Sequence, residues 1–205
     1  MWATLLACSP ALCAAPEGVD AGWILAKLQR PTPSSTAFVE LHDSPLLRAP
    51  LRLSGEYRRP DDDTLVREVH APYAETTTIR AGEVTIARAG KGPRTFSLAR
   101  VPELAGLNAS FGALLSGDRA LLGQHYRIAS SGARERWTLT LSPTDAVLAT
   151  RVRQIVLYGR GAELRCIETQ PVKGLVQRTL LAGAARDAAA VVDAAALATL
   201  CHAAS

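Results

Sequence analysis

The residues that could carry out covalent chemistry are few, and their spacing does not assemble a catalytic site. The chain has four histidines, and His42 is followed by Asp43 and Ser44, so this run contains the residue types of a hydrolase triad. Adjacent residues of a strand or turn point in different directions, whereas the members of a triad converge from separate segments. The HDS run therefore does not predict nucleophilic catalysis.

Two glycine-containing motifs also differ from the sites that they resemble. NASFG at residues 108–112 has Asn108 where the G-x-S-x-G motif requires glycine, and a helical pattern where that motif requires a strand-to-helix turn. AGKGPR at residues 89–94 has no hydroxyl residue after its lysine, so it does not match a phosphate-binding loop. Cysteines with C-x-x-C spacing for a metal are absent from the sequence. The sequence predicts no enzyme, no cofactor and no metal.

Charge and aromatic content argue against a nucleic-acid partner. The chain has 23 lysines and arginines against 19 acidic residues, and its arginines are scattered rather than clustered. Three Phe, four Tyr and three Trp are too few for a surface on which bases would stack. We interpret the small basic excess as a contribution to solubility.

A more specific feature is GEYRRP at residues 55–60, which is followed at once by three aspartates. This stretch is either an ordinary charged turn or a turn that positions one arginine for a specific role. Arg59 directly precedes Pro60, and the residue before a proline is restricted to extended conformations. We interpret Arg58 as a solvated turn residue and the aspartate run as a polar loop.

Residues 1–15 predict a signal peptide. They carry no charge and end in small residues before Pro16, but a positive n-region is missing. The true start could therefore lie upstream, in which case Cys8 of LLAC could mark a lipoprotein signal. A disordered or packed N-terminus is the alternative.

Cleavage near residue 15 would leave Cys166 and Cys201 as the two cysteines of the mature chain. For this pair, both a buried thiol and a disulfide remain open.

Most of the chain after the helical stretch AGWILAKLQR reads as antiparallel strands. In PLRLSGEYR, apolar and polar residues alternate with the period of two that is typical of a half-buried strand. Further strands are predicted in TAFVELHDS, ETTTIR, EVTIAR, RTFSLAR, RWTLTLS, RVRQIVLY, AELRCIET and GLVQRTLL, with a turn at Ala81 and Gly82. Strands in such close succession favour antiparallel neighbours.

One segment breaks this pattern. In VPELAGLNASFGALLSGD, at residues 101–118, the apolar residues recur at helical spacing, Pro102 suits a first turn and Gly117 suits a C-terminal stop. An amphipathic helix can close fully on a sheet, as in a structural domain, or cover it loosely and leave an apolar cavity. Composition does not separate these two cases. Residues 183–205 are rich in alanine and predict a loosely docked helix.

The order of these motifs resembles that of the periplasmic outer-membrane lipoprotein carrier family, LolA. After the first helix, FVE at residues 38–40 stands for a Phe-x-Gln-like signature, and GEYRRP stands for a glycine followed by Lys-Arg-Pro, which places Arg59 on the family's arginine. The similarity continues through APYAETTTIRAGEVTIAR, the lid helix PELAGLNASFGALLSG, QHYRIA and WTLTLSP, and covers residues 22–181 in one order.

The resemblance implies an α+β fold in which a strongly curved antiparallel sheet forms an incomplete barrel beneath a helical lid. It also implies that Arg59 bonds to the lid and holds the empty carrier closed, an action that suits the five donors of a guanidinium. The implied lid and acyl-binding residues are Leu104, Leu107, Phe111, Leu114 and Leu115. The implied cavity lining is Leu51, Leu53, Tyr57, Val84, Ile86, Phe96, Trp137, Leu139 and Leu141.

In functional terms, the resemblance implies a monomeric periplasmic carrier. Members take the acyl chains of lipoproteins from an inner-membrane donor transporter and pass them to an outer-membrane acceptor. The expected organisation is a signal peptide at residues 1–15, a carrier domain at 16–182 and an alanine-rich tail at 183–205.

The chain departs from the family pattern at two places. DDDTLVREV replaces the aromatic residues that follow the family's Arg-Pro pair, and the alanine-rich tail replaces a further strand. These departures leave the cargo open between lipoproteins and another lipid, for example a pigment lipid or a glycolipid. A structural or accessory envelope protein of the same fold, without cargo, is the alternative.

Overall fold

The computed structural model describes residues 18–42, 48–100, 119–189, 191 and 193–203. Its strands are β1 (Ser34–His42), β2 (Leu51–Arg59), β3 (Thr64–Ala71), β4 (Glu75–Arg80), β5 (Glu83–Arg88), β6 (Lys91–Ser97), β7 (Tyr126–Ala133), β8 (Arg136–Pro143), β9 (Val152–Arg160), β10 (Glu163–Pro171) and β11 (Gln177–Leu181). The helices are α1 (Ala21–Leu28), α2 (Arg119–His125), α3 (Ala146–Ala149), α4 (Ala182–Asp187) and α5 (Ala194–His202), with a 3₁₀ turn at Leu98–Arg100.

All eleven strands form one antiparallel sheet in the order β6-β5-β4-β3-β2-β1-β11-β10-β9-β8-β7. The pairing of β1 with β11 joins two meanders, one from each half of the chain. The sheet is strongly curved, and its edge strands β6 and β7 do not pair with each other, so the barrel stays open. The predicted α+β fold with an incomplete antiparallel barrel is confirmed.

β3 is a strand that the hydrophobic pattern does not predict. Leu65, Arg67 and Val69 share the inner face of the sheet, opposite the residues of β2. Because a charged residue stands at the middle inward position, the alternation of apolar and polar residues is lost. A charged side chain can occupy that position only if a partner compensates it.

The inner, concave face of the sheet carries the larger hydrophobic cluster. Helix α1 begins at Asp20, whose Oδ1 accepts a hydrogen bond of 2.9 Å from the Trp23 amide, and it ends before Pro31, which cannot continue a helix. Its buried face packs against the sheet. The cluster includes Ile24, Leu25, Leu28, Phe38, Leu53, Val69, Trp137, Leu139, Leu141, Leu157, Ile167 and Leu181.

The outer face carries a second cluster beneath α4 and α5. Ala184 and Ala188 are fully buried there, close to Val39 of β1, because an alanine-rich helix surface can approach a sheet closely. The structure thus has two short helices packed on the sheet where the alanine content suggests one loosely docked helix.

Cys166 of β10 and Cys201 of α5 form a disulfide with a Cα–Cα distance of 5.2 Å. The sequence leaves a buried thiol and a disulfide open, and the structure has the disulfide.

Two predicted segments fall on residues that the structure does not describe. They are the signal peptide at residues 1–15 and the lid helix within residues 101–118, which contains Leu104, Leu107, Phe111, Leu114 and Leu115. Among the described residues, no helix has the length and apolar character needed to cross a membrane.

Candidate functional site

A cavity of about 110 Å³ opens on the inner face, between the end of α1 and the middle of the sheet. Its walls come from strands of both meanders, so it lies where the two halves of the sheet meet. Apolar and polar residues share the lining, which consists of Leu28, Arg30, Ser34, Thr36, Tyr57, Arg59, Leu65, Glu163, Leu164, Leu181 and Ala182. Such a mixed wall suits a ligand that is itself part polar and part apolar.

The two arginines of GEYRRP lie on opposite faces of the sheet. Arg58 points outward, where its Nη1 donates to Glu68 at 2.6 Å and 48% of the side chain is exposed. Arg59 points into the cavity with only 8% of its side chain exposed. Because side chains of a strand alternate between its two faces, adjacent arginines must separate in this way.

The described partners of Arg59 are few and close to the cavity. Its Nη1 donates to the carbonyl oxygen of Arg30 at 3.3 Å, and its Nη2 donates to Oδ1 of Asp62 at 3.3 Å. Asp62 is 83% exposed, so the aspartate run, interpreted from sequence as a polar loop, also supplies the counter-charge of Arg59. Contact of Arg59 with the lid stays a prediction, since the lid segment falls on residues that are not described.

Two hydroxyl groups share the cavity with Arg59. Ser34 lies directly opposite Arg59 across the β1–β2 pair, and Thr36 lies opposite Tyr57. Neither side chain hydrogen-bonds to a described residue, although both line the cavity. Directly opposed residues have Cβ atoms about 4.5–5.5 Å apart, so Ser34 lies beside the base of the Arg59 side chain. Both hydroxyl residues share the cavity lining with Arg59.

Farther along the inner face, a buried carboxylate organises β1, β2 and β3. Glu40 Oε1 accepts from Tyr57 at 3.2 Å and from Thr179 at 3.1 Å, and Oε2 accepts from Arg67 at 2.8 Å and pairs with His42 at 3.0 Å. The network compensates the charge of Arg67 that interrupts the β3 pattern.

This network also sets the protonation states of its members. Burial alone would raise the pKa of Glu40, but the His42 hydrogen bond and the positive charge of Arg67 outweigh it and hold that pKa below its usual range. Burial and the neighbouring Glu40 carboxylate raise the pKa of Tyr57, so the phenol keeps its proton. The Tyr57 hydroxyl therefore stays a donor to Glu40, and Tyr57 also lines the cavity.

We expect Glu40→Gln to lower the free energy of unfolding at pH 7 by about 1–3 kcal/mol, the usual worth of hydrogen bonds to a charged group. The folded-state pKa of Glu40 is lowered, so its stabilisation is complete above the unfolded-state pKa near 4.5 and is lost as the pH falls through the folded value. Urea unfolding at pH 7 and at pH 3 measures this. The difference between wild type and variant should shrink at pH 3.

Glu83→Gln is the matched control, because Glu83 is exposed at the first position of β5. It should leave stability at both pH values within about 0.5 kcal/mol of the wild type. Equal effects of the two substitutions at pH 7 would contradict the account of the buried network.

The nine residues predicted to line the cavity occupy the inner face but do not all reach the cavity. Tyr57 lines it. Leu53, Trp137, Leu139 and Leu141 are fully buried in the inner cluster, and Leu51 packs against that cluster. Val84 is buried opposite the half-buried Phe96, and Ile86 is half-buried on the same strand. For these eight, a role in lining an acyl cavity stays a prediction.

Sequence reasoning missed Arg30, Asp62 and the Glu40–Arg67 pair. Glu40 shares a face with Phe38, and Arg67 shares a face with Leu65 and Val69. An acidic and a basic residue at inward positions of two different strands indicate a buried ion pair, because an isolated buried charge is too costly. That signal is present in the sequence.

One cluster has the residue types of a metal site. The ligand atoms of Glu168, Cys201 and His202 lie within 4.8 Å of one another. The sulfur of Cys201 is committed to the disulfide, and Glu168 already accepts from His202 at 2.9 Å and from Arg178 at 2.7 Å. We interpret this cluster as a polar contact that fixes α5 to the sheet.

Comparison with family models, curated proteins and solved structures shows what this chain is similar to. A family model described as "Outer membrane lipoprotein carrier protein LolA-like" matches residues 13–204. No curated protein matches the chain. Among solved structures, the crystal structure of a LolA superfamily protein from Nitrosomonas europaea is similar, with 14% identity over 77% of this chain and 74% of that chain and a TM-score of 0.39. Because the family model spans nearly the whole sequence, the chain belongs to the family that this model describes, the outer membrane lipoprotein carrier protein LolA-like family.

Proposed function

We propose that this protein is a periplasmic carrier that binds acyl chains of lipoproteins, or of a related lipid, against the inner face of its sheet. The observation that carries the proposal is the cavity on that face, with leucines on its wall and the buried Arg59 beside them. Membership of the lipoprotein carrier family supports this choice of ligand. The protein acts by binding and release, without covalent chemistry.

The shuttle needs a donor and an acceptor. We propose that an inner-membrane transporter loads the cavity and that an outer-membrane receptor empties it. The signal-like residues 1–15 suit a periplasmic location. A monomer suits this role, because the carrier must present one opening first to the donor and then to the acceptor.

The proposed opening mechanism couples binding to the lid. Leu104, Leu107, Phe111, Leu114 and Leu115 would cover the acyl chains, and Arg59 would hold the lid closed in the empty carrier. Burial of each methylene gives about 0.8 kcal/mol, and one hydrogen bond contributes about 0.5–1.5 kcal/mol. Several buried methylenes therefore offset a latch of a few hydrogen bonds, so that cargo opens the lid.

A fluorescent fatty acid titrated into the purified protein tests the proposal. We expect saturable binding, and we expect Arg59→Leu to change the affinity or the rate of release because it removes the latch. Leu107→Asp should weaken binding more than it lowers the melting temperature, because a lid residue contacts cargo rather than the permanent core.

Leu175→Asp is the matched control for the lid variant, since Leu175 is 68% exposed in the loop between β10 and β11. It should change neither binding nor stability. If Leu107→Asp unfolds the protein instead, the helix belongs to the core and the lid assignment is wrong.

A further inference from the structure

We propose that the cavity beside Arg59 is a head-group site, which binds the anionic group of an acyl ligand, a carboxylate or a phosphate. Arg59 is the anchor, and Ser34 and Thr36 donate additional hydrogen bonds. The inference rests on the proposed carrier function and extends it, because it assigns the ligand a charge and an orientation. Carrying acyl chains requires neither.

The guanidinium of Arg59 is buried beside a weak carboxylate partner. Burial of a charged group is costly unless a strong partner compensates it. The only carboxylate among its described partners is Asp62, which is 83% exposed and 3.3 Å from Nη2. Together with the bond to the Arg30 carbonyl, this uses two of the five donors that a guanidinium offers. Arg59 is thus poised to accept a better anionic partner.

Two hydroxyl side chains of the neighbouring strand can bind the ligand together with Arg59. Ser34 and Thr36 both line the cavity, and no described residue hydrogen-bonds to their side chains. Ser34 lies directly opposite Arg59. A carboxylate has two oxygens and about four lone-pair sites, so it can bond to the guanidinium and to a hydroxyl together.

The charged side chains that line the cavity bear on the charge of its ligand. Glu163 also lines it, but its Oε1 already accepts from the Gly183 amide at 2.7 Å and from Arg165 Nη1 at 3.2 Å. Arg30, the second guanidinium in the lining, donates to the backbone carbonyls of Lys27, Gln29 and Ala162. Among the lining residues, two guanidinium groups therefore face one compensated carboxylate, and the further carboxylate beside Arg59, that of Asp62, is 83% exposed, which favours an anion in the cavity.

The rest of the cavity wall includes an apolar surface. Leu28, Leu65, Leu164 and Leu181 line the same cavity. An anion held by Arg59 would have the first methylenes of its chain against these leucines. A small inorganic anion would leave this apolar surface without a partner, so the cavity suits an amphiphile.

Chain-matched competitors test the proposal on the full protein. Oleic acid, oleoyl lysophosphatidic acid and oleyl alcohol share one hydrocarbon chain length and differ in head group, and each is titrated as a competitor of a bound fluorescent fatty acid. We expect at least one of the two anions to bind about 10-fold tighter than the alcohol, since a charge-assisted hydrogen bond is worth at least about 1.4 kcal/mol. Which anion binds tighter distinguishes a free fatty acid from a phospholipid as the source.

Three variants and one control separate head-group binding from structural roles. Arg59→Gln should remove the preference for the anions, so that within this variant the two anions bind no more than about twofold tighter than the alcohol. Asp62→Asn should raise the affinity for the anions, because it removes the carboxylate that competes for Arg59. Ser34→Ala should weaken binding of the anions, whereas Ser35→Ala should not, because Ser35 points to the outer face and donates to Glu56 at 2.9 Å.

The outcomes distinguish this inference from the carrier proposal. Equal binding of the alcohol and both anions, unchanged in Asp62→Asn and Ser34→Ala, would overturn the head-group site and leave the carrier proposal standing. If no ligand binds to the folded wild-type protein, both proposals fail. The Asp62 and Ser34 variants decide the question even if Arg59→Gln does not fold.

Discussion

Replacing Trp137 with alanine is expected to lower the free energy of unfolding by about 3–5 kcal/mol, the range for a large aromatic residue in a core. Trp137 is completely buried in the inner cluster. Its indole nitrogen donates to the carbonyl oxygen of Gly161 at 3.0 Å, so the substitution removes a hydrogen bond as well as packing. Urea unfolding followed by far-UV circular dichroism measures the change.

A glycine substitution on the opposite strand, with a second glycine as its control, tests the same packing. Gly159 lies directly across from Trp137, and a Cβ atom added there would be 2.1 Å from Cζ2 of the indole. Gly159→Ala must displace the ring and should cost about 1–3 kcal/mol, as overpacking does. A Cβ atom at Gly92 meets nothing within 4 Å, so Gly92→Ala should be close to neutral. Equal stability of the two variants would contradict the placement of Trp137.

Replacing Cys201 with serine is expected to lower the free energy of unfolding by about 2–4 kcal/mol, the typical contribution of a disulfide. The bond to Cys166 closes a loop with a sequence separation of 35 residues and fixes α5 to β10. Both cysteines are fully buried, so the variant also leaves a polar hydroxyl in an apolar cluster. The result is read from the shift of the urea midpoint under oxidising conditions.

Dithiothreitol provides the control for the disulfide. Reduction of the wild type under unfolding conditions should remove most of the stability difference from Cys201→Ser, because neither protein then has the cross-link. A wild type whose stability is the same with and without reductant would show that this bond does not form or does not contribute.

Much of the fold is predictable because most strands carry their own local signal. The β2 pattern, with Leu51, Leu53 and Tyr57 on one face, reappears in the structure as the inner face of the sheet. The turn predicted at Ala81 and Gly82 joins β4 to β5, and both residues have positive φ, as a type I′ hairpin turn requires. Strand β3 escaped prediction because Arg67 occupies an inward position.

The site is less predictable because it depends on contacts between distant segments. The period of two places Arg58 and Arg59 on opposite faces, but nothing local to GEYRRP indicates that the carbonyl of Arg30 lies within reach. Likewise, the two cysteines are 35 residues apart, and their pairing depends on how α5 packs on the outer face. The first contact follows from the pairing of β1 with β2 and the second from the packing of α5 against β10, and no short segment encodes either.

The proposed carrier function requires that the inner face of this sheet binds acyl chains, and an equilibrium titration of the purified, folded protein with a fluorescent fatty acid measures that binding. We expect a saturable signal that unlabelled acyl lipid displaces. A signal that rises linearly without saturation, or that unlabelled lipid does not reduce, would contradict it.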